Sequence, residues 1–220
     1  MTASRQKIYI VDDHTLVREW LANLLQQETD FEVCGQADSA AVAISGISAS
    51  LPDIAIVDLS LRGGSGLDLI KDLREVSPAT QVVVLSMHEE IYFIERAFRA
   101  GARAYVTKRD STHRIVEAIR AVLAGQVYAN ADVLAQLTER MIGHSPAKPR
   151  GSVELLSNRE IEVFRRLGEG QGTRKIATEM GLSMKTVQAY SARIKEKLGL
   201  ANVSELVREA VRWMESSRRN

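Results

Sequence analysis

The sequence predicts an α/β fold with a doubly wound, five-stranded parallel sheet, followed by a small all-α domain of four helices. Over the first 125 residues, five short β-branched runs alternate with amphipathic stretches. Three of these runs are almost continuously apolar, which is typical of strands covered on both faces. Beyond residue 128 the strand pattern stops and only helical periodicity remains. A succession of β–α units favours a parallel sheet with helices on both faces.

The predicted strands and helices alternate regularly along this first part of the chain. Each interval between two strands is long enough for one crossover helix. The predicted strands are 8–11, 31–34, 54–57, 82–85 and 104–106. The predicted helices are 15–27, 40–48, 66–76, 91–100 and 112–124.

A stretch rich in helix breakers separates the C-terminal part from the sheet. One amphipathic helix is predicted at 131–142, and residues 143–152 contain two prolines and two glycines, which mark a linker. We therefore predict a sheet domain at 1–128, a helical linker at 129–152 and a helical domain at 153–220. The helices predicted in the last domain are 158–168, 174–180, 184–198 and 203–214.

The composition is that of an ordinary soluble globular protein, with 45% apolar and 26% charged residues. No apolar run is long enough to span a bilayer, no signal peptide is visible, and Cys34 is the single cysteine. These features predict a cytoplasmic protein with no membrane contact. Within 150–220, 14 Lys and Arg stand against 9 Asp and Glu, which suits a nucleic-acid surface or a solvated basic face.

Polar residues follow four of the predicted strands. Asp12 and Asp13 follow the first strand, Asp58 the third, Ser86 the fourth and Lys108 the fifth. Ligands of open parallel sheets bind at the carboxyl ends of the strands, so we expect these side chains to converge. The alternative for each residue alone is structural, because Asp after a strand is a common turn residue or helix N-cap.

Clustered carboxylates with no Cys or His spacing for a soft metal favour Mg²⁺. With the metal held by Asp12 and Asp13, Asp58 is placed to act as a carboxylate nucleophile on a phosphoryl group. The ammonium of Lys108 would offset charge on the phosphoryl oxygens, and the hydroxyl of Ser86 would donate a hydrogen bond to the acyl phosphate.

The helical domain contains the layout of a helix-turn-helix. Thr173 and Ser183 are candidate N-caps and Gly181 is the expected left-handed turn residue. In such a motif the second helix, here 184–198, enters the major groove of DNA.

One face of this second helix is predicted to point inward and the opposite face to read DNA. Gln pairs bidentately with adenine, Ala contacts the thymine methyl group, and Arg and Lys suit phosphates. An alternative is a helical protein-interaction domain with a solvated basic face. The inward residues are Val187, Ser191, Ile194 and Leu198. The candidate DNA-binding residues are Thr173, Lys185, Thr186, Gln188, Ala189, Ala192, Arg193, Lys195 and Lys197.

Motifs in both halves resemble one known family, the two-component response regulators with a receiver domain and a LuxR-type helix-turn-helix, as in the NarL/FixJ subfamily. The resemblance covers nearly the whole chain. Four segments resemble a flavodoxin-like receiver domain: VDDH from Val11, VDLSL from Val57, LSMH from Leu85 and AGARAYVTK from Ala100. Four others resemble the output domain: LSNRE from Leu156, KIA from Lys175, SMKTV from Ser183 and KLGL from Lys197.

This resemblance implies that Asp58 accepts a phosphoryl group from the phosphohistidine of a sensor histidine kinase. It implies that Asp13, Asp58 and the carbonyl of Ser60 bind Mg²⁺, with Asp12 acting through water. Ser86 and Tyr105 match the family's switch pair, whose rearrangement repacks the surface formed by helix four, strand five and helix five. No turnover of an external substrate is expected, only slow self-dephosphorylation.

For the output half, the resemblance implies a homodimer on activation and a two-fold promoter site in double-stranded DNA. It also suggests that the last helix supports dimerisation.

The sequence departs from the family pattern at a few positions. Arg62 replaces a usual proline, Ala104 a frequent glycine, Gln188 a usual lysine and Tyr190 a frequent histidine. Arg62 and His88 either alter phosphoryl lifetime or kinase choice, or are merely exposed loop residues. Because Gln188 and Tyr190 lie in the recognition helix, base preference cannot be copied from relatives.

Two other classes of function remain open. A phosphatase would form an aspartyl phosphate in the same way, but commonly needs a second acid two residues after the nucleophile, where this chain has Ser60. A regulator that ignores phosphorylation would bind DNA constitutively. Steady turnover of a phosphate ester would indicate the first, and DNA affinity unaffected by a phosphodonor the second.

Overall fold

The structure, a computed structural model, describes residues 5–61, 64–89, 91–110, 112–142 and 153–219. The chain divides into two compact units, Met1–Leu137 and Thr138–Asn220. Arg62 and residues 143–152 of the predicted linker 129–152 lie outside the described residues. Among the described helices, none combines the length and apolar character needed to cross a membrane.

The first unit contains a five-stranded sheet in the order β2-β1-β3-β6-β7, and every pair in it is parallel. The doubly wound parallel sheet predicted from the sequence is therefore confirmed. The strand order reverses direction between β1 and β3, where open sheets of this kind bind their ligands. The strands are β1 Gln6–Val11, β2 Phe31–Ala37, β3 Ile54–Val57, β6 Gln81–Ser86 and β7 Ala102–Thr107.

Helices cover the sheet because its strands are apolar on both sides. An apolar cluster joins Ile8 and Ile10 of β1 to Leu21 of α1 and Ile119 of α5, so these two helices share one face of the sheet. On the other side α2 contacts α3 and α3 contacts α4. The helices of this unit are α1 Thr15–Gln26, α2 Ala40–Ser50, α3 Gly66–Val76, α4 Ile91–Ala100 and α5 Thr112–Leu123. The next helix, α6 Ala131–Ile142, contains the boundary between the two units.

A short hairpin after β3 is absent from the sequence prediction. Its strands, β4 Ser60–Leu61 and β5 Gly64–Ser65, are two residues long and antiparallel. Strands of this length are too short to show a period of two. Four strands of the main sheet are also longer than predicted, because polar residues such as Gln6 and Gln81 continue the ladder.

The second unit is entirely helical in its described part. A 3₁₀ turn, Val153–Leu155, precedes four α-helices whose apolar faces form one core around Phe164 and Ile194, both fully buried. The last helix ends five residues later than predicted, since charged residues continue it. The helices are α7 Asn158–Gly168, α8 Thr173–Glu179, α9 Met184–Leu198 and α10 Val203–Arg219.

The predicted caps of the helix-turn-helix are partly right. Ser183 caps α9, because its Oγ accepts a hydrogen bond from the amide of Thr186 at 3.0 Å. Gly181 has a φ of 64°, the left-handed conformation expected of the turn. The N-cap of α8, however, is Gly172, and no side chain bonds there. Thr173 is the first helical residue, so its predicted capping role is wrong.

Candidate functional site

Three charged side chains meet at the carboxyl ends of β1, β3 and β7. The Nζ of Lys108 lies 2.6 Å from Oδ2 of Asp12 and 2.6 Å from Oδ2 of Asp58. Asp12 is 2% exposed and Asp58 3% exposed. Because water is almost excluded from both carboxylates, the ammonium between them is their principal countercharge in this triad.

Backbone contacts bring these strand ends to one level. The amide of Asp58 donates to the carbonyl of Val11 at 2.9 Å, so β1 and β3 end side by side. The amide of Lys108 donates to the carbonyl of Ser86 at 2.8 Å, which fixes the end of β7 beside β6. At Gly66, a Cβ atom would lie only 2.1 Å from the carbonyl oxygen of Asp58. Glycine is therefore required where α3 begins against the Asp58 backbone.

The electrostatics of the triad follow from its burial. Burial raises the pKa of Asp58 above its ordinary value, against the opposing attraction of Lys108. Burial also acts to lower the pKa of Lys108, but the carboxylates of Asp58 and Asp12 outweigh it and raise that pKa. Lys108 is therefore held as an ammonium, and Asp58 is a carboxylate whose charge is costly unless cations lie beside it.

Asp13 and His14 complete an acidic cluster at the mouth of the pocket. Nδ1 of His14 lies 2.9 Å from Oδ1 of Asp13 and 3.2 Å from Oδ1 of Asp12. Potential ligand atoms of Asp12, Asp13, His14 and Asp58 all lie within 4.8 Å of one another. Carboxylates outnumber the ammonium of Lys108 here, so the pocket is compatible with a divalent cation.

Arg18 is a neighbour of the pocket that the sequence analysis did not identify. Its guanidinium donates to the carbonyl oxygen of Asp12 at 2.5 Å and to Oγ1 of Thr15 at 3.3 Å. It thus ties the first turn of α1 to the loop that carries Asp12. The sequence offered no signal beyond its position one helical turn after His14.

The predicted switch pair is joined through one backbone segment. Ser86 is fully buried, and its Oγ accepts a hydrogen bond from the amide of His88 at 3.4 Å. The hydroxyl of Tyr105, itself buried, donates to the carbonyl oxygen of His88 at 2.8 Å. Both side chains therefore contact the loop that leads from β6 to α4.

The side chain of His88 belongs to the same site. Its Nε2 lies 3.0 Å from Oγ of Ser60, two residues after Asp58, and its ring stacks on Phe93 of α4 at 4.1 Å between centroids. Only 5% of His88 is exposed. The alternative that His88 is merely an exposed loop residue is therefore wrong. It connects the loop after β3 to the first turn of α4.

In the second unit, α9 presents the face expected of a recognition helix. Val187, Ile194 and Leu198 are buried, while Ser191 is half-buried and donates to the carbonyl of Val187 at 3.0 Å. Lys195 is half-buried at the edge of the helix. The exposed candidates on this helix are Lys185, Gln188, Ala189, Ala192, Arg193 and Lys197.

Two candidate DNA-binding residues of α9 have partners inside the unit. Nζ of Lys197 lies 2.5 Å from Oε2 of Glu160, which is 3% exposed, and also donates to the carbonyl of Leu155. Oγ1 of Thr186 lies 2.8 Å from Oγ of Ser183. Lys197 is thus committed to packing α9 against α7, and we remove it from the proposed DNA-contact set. Thr173 is half-buried at the start of α8.

Comparison with known families matches both units. Residues 8–120 match the response regulator receiver domain, and residues 154–210 match the luxR family of bacterial regulatory proteins. The transcriptional regulatory protein UhpA of Escherichia coli (strain K12) is 32% identical over 201 residues, which cover 91% of this chain and 95% of that protein. The oxygen regulatory protein NreC of Staphylococcus aureus (strain JH9) is 30% identical over 94% of this chain and 97% of its own length.

Solved structures share the fold. RcsB of Salmonella enterica serovar Typhimurium, bound to promoter P1flhDC in the presence of the phosphomimetic BeF3⁻, has a TM-score of 0.63. Its sequence is 23% identical, over 94% of this chain and 98% of that chain, so the likeness concerns the fold alone. The chain belongs to the two-component response regulators, in the NarL/FixJ subfamily that joins a receiver domain to a LuxR-type DNA-binding domain and regulates transcription.

Proposed function

We propose that Asp58 is the residue at which this response regulator is phosphorylated, by a sensor histidine kinase, and that phosphorylation increases dimerisation and promoter binding. The observation that carries the proposal is the triad of Asp12, Asp58 and Lys108. A buried carboxylate is a nucleophile for phosphorus, and the ammonium beside it offsets part of the negative charge of the product.

In the transfer step, a carboxylate oxygen of Asp58 attacks the phosphorus of the kinase phosphohistidine. The new O–P bond forms as the P–N bond breaks, and the electron pair of that bond leaves with the kinase imidazole. Lys108 stays protonated beside the reacting carboxylate, because its raised pKa holds the proton. Before transfer the ammonium of Lys108 contacts the Asp58 carboxylate, and after transfer it also lies beside the phosphoryl oxygens.

A divalent cation fits the same pocket, and Mg²⁺ is our choice. Asp12, Asp13 and Asp58 supply hard oxygen donors within one cluster, and the carbonyl of Ser60 is the further ligand that the family resemblance implies. When bound, the ion supplies positive charge opposite the phosphoryl oxygens.

We expect Mg²⁺ to raise the thermal midpoint of the receiver unit. An ion that binds only the folded state adds about 2.7 kcal/mol when its concentration is 100 times its dissociation constant. Asp13→Asn should remove most of this gain, whereas Asp72→Asn, at an exposed position of α3, should leave it intact. Calorimetry of the full chain in EDTA and in excess MgCl₂ measures the difference. A gain that is the same in the wild type and in Asp13→Asn contradicts the assignment.

The signal leaves the pocket through the loop between β6 and α4. Ser86, Tyr105 and Ser60 all contact His88, and the His88 ring stacks on Phe93 of α4. A phosphoryl group on Asp58 that accepts a hydrogen bond from the Ser86 hydroxyl would change the contacts of this loop. The position of α4 and the packing of Tyr105 are thereby linked to phosphorylation.

His88→Ala should both destabilise the receiver unit and change the rate at which phosphoryl-Asp58 decays. The stacking contact and the hydrogen bond to Ser60 together account for about 2 kcal/mol. His88→Gln keeps a hydrogen-bonding group near Ser60 but lacks the ring. Its stability should therefore lie between that of the wild type and that of His88→Ala. Denaturant unfolding and the decay of labelled phosphoprotein provide the readouts. Wild-type decay kinetics in His88→Ala would exclude His88 from control of the phosphoryl group.

In the second unit we propose that α9 enters the major groove, with Arg193, Lys185 and Lys195 directed to phosphates and Gln188 to a base. We further propose a sheet domain at 1–128, a linker at 129–152 and an output domain at 153–220, acting as a homodimer on a two-fold site in the cytoplasm. RcsB, whose structure was solved on promoter DNA in the presence of a phosphomimetic and also as dimers bound to DNA, supports the proposed DNA binding and dimerisation by analogy.

The test of the proposed function is the affinity of the full chain for promoter DNA with and without a phosphodonor. Affinity that rises with phosphorylation, together with a dimeric complex, supports it. Equal affinity in both states would indicate a constitutive DNA-binding protein instead.

A further inference from the structure

We propose that α9 selects half-sites whose central base pairs are A·T, with Ala189 and Ala192 against thymine methyl groups and Gln188 on adenine. This inference depends on the proposed entry of α9 into the major groove, and it names the class of DNA that the helix reads. The central base pairs of a half-site are those that face Gln188, Ala189 and Ala192.

The outermost line of α9 carries methyl groups at its centre. Lys185, Ala189, Ala192 and Glu196 are exposed and recur at intervals of four, three and four residues, so they share one face. Val187 is buried on the opposite side. Two alanines at the centre of this line let the helix backbone approach the base edges closely. Alanine cannot hydrogen-bond to a base through its side chain, and the apolar group that a base offers in the major groove is the thymine methyl.

The surface around Ala189 is a shallow depression that is open to solvent. It forms an open cavity of about 290 Å³ that is bounded by longer polar side chains. A single methyl group projecting from a base would enter this concavity and meet the Ala189 side chain. The lining residues are Ser183, Lys185, Thr186, Ala189, Tyr190 and Arg193.

Gln188 supplies the polar contact that the alanines lack. It is exposed, and its side chain forms no hydrogen bond with the other residues that the structure describes. Its amide is therefore available to both N6 and N7 of adenine, the bidentate pairing that Gln makes. The hydroxyl of Thr186 is by contrast already paired with Ser183. Since Gln188 and Ala192 are four residues apart, adenine and thymine methyl readout occur side by side on one turn of the helix.

The two long cations lie one helical turn to either side of Ala189, Lys185 at the start of the same exposed line and Arg193 beyond Ala189. Lys185 and Arg193 both line the cavity, and they flank Ala189 by four residues on either side. Long flexible side chains reach past the base edges to phosphates, and phosphate contacts carry no base information. A guanine contact by either cation would fall outside the central base pairs.

The experiment is in vitro selection of duplex DNA by the full-length chain treated with beryllofluoride, followed by affinity measurements on the selected site. We expect A·T pairs at the centre of each half-site. Replacing a contacted thymine by uracil, which removes only the methyl group, should weaken binding about fourfold. Gln188→Ala should lose adenine discrimination by roughly 5- to 150-fold, and Gln188→Lys should shift the preference at that pair to guanine. Lys195→Gln is the control, with a uniform loss on all sequences.

Each result separates this inference from the proposed function. Selection of a site with central G·C pairs, or a selected site on which uracil binds as well as thymine, overturns the inference while the DNA-binding function stands. The absence of any enriched sequence overturns both. Central A·T pairs that depend on the methyl groups and on Gln188 establish it.

Discussion

The Asp58→Asn variant is expected to take up no phosphoryl group and to bind promoter DNA equally with and without a phosphodonor. Asparagine has nearly the shape of aspartate but lacks the carboxylate nucleophile. The wild-type chain, in contrast, should gain the mass of one phosphoryl group and bind DNA more tightly. If phosphorylation moves the competent state from about 1% to about 99% of the population, apparent affinity rises about 100-fold.

The same substitution should affect stability in a pH-dependent way. Burial raises the folded-state pKa of Asp58 above 3.8, so the native state holds this proton more strongly than the unfolded chain does. Stability is therefore lost as pH rises from the unfolded-state pKa through the folded-state value. In EDTA, Asp58→Asn should gain stability relative to the wild type as pH rises through that window.

Asp72→Asn, which removes an exposed carboxylate from α3, should be phosphorylated and should respond to a phosphodonor like the wild type. Intact-protein mass and DNA affinity are measured on the same preparations. A full response by Asp58→Asn to the phosphodonor would mean that another residue is the acceptor.

The sequence predicted the parallel sheet and the meeting of Asp12, Asp58 and Lys108 because topology alone determines both. Residues at the carboxyl ends of neighbouring parallel strands must lie at one edge of the sheet. Tyr105 and Ser86 lie within the strands, so their positions followed in the same way. These inferences did not depend on the direction of any loop side chain.

The features that the sequence did not reveal depend on the directions in which individual side chains point. His88 lies in a loop, and nothing in its spacing shows that its ring turns inward onto Phe93 and Ser60. Thr173 has the residue type of a cap, but the helix begins one residue earlier than expected and Gly172 takes that place. Lys197 lies on a flank of α9, and only the packing of α7 shows that its ammonium is bonded to Glu160.

Glu160→Ala is expected to destabilise the DNA-binding unit by about 3 kcal/mol and to weaken promoter binding as the temperature approaches its lowered thermal midpoint. Oε2 of Glu160 accepts a hydrogen bond from the amide of Ser157 at 2.7 Å, which completes a capping box at the start of α7. The same oxygen lies 2.5 Å from Nζ of Lys197 near the end of α9. A lost cap contributes about 1 kcal/mol and a lost charge-assisted hydrogen bond about 2 kcal/mol.

The effect is large because the unit is small. The free energy of unfolding of a folded domain is roughly 0.1 kcal/mol per residue. A loss of about 3 kcal/mol therefore removes much of the total stability of this unit. The thermal midpoint should fall on the order of 15 °C. Trp213, which packs near Phe164 at 5.8 Å between ring centroids, reports this unit in a Trp20→Phe background of the full chain. Lys197→Met should destabilise the unit in the same direction without changing the salt dependence of DNA binding, if the ammonium of Lys197 stays paired with Glu160 in the complex.

The pH dependence distinguishes the ion pair from simple packing. Burial acts to raise the pKa of Glu160, but the hydrogen bonds from Lys197 and Ser157 outweigh it, so this pKa lies below 4.5 in the folded state. The stabilisation is therefore complete above pH 4.5 and is lost as pH falls through the folded-state value. The gap between wild type and Glu160→Gln, which keeps an acceptor for Ser157 but no charge, should close at low pH. Glu196→Ala, an exposed glutamate of α9, should stay within about 0.5 kcal/mol of wild type throughout. A gap that persists unchanged at low pH would show that Glu160 acts through its shape and not its charge.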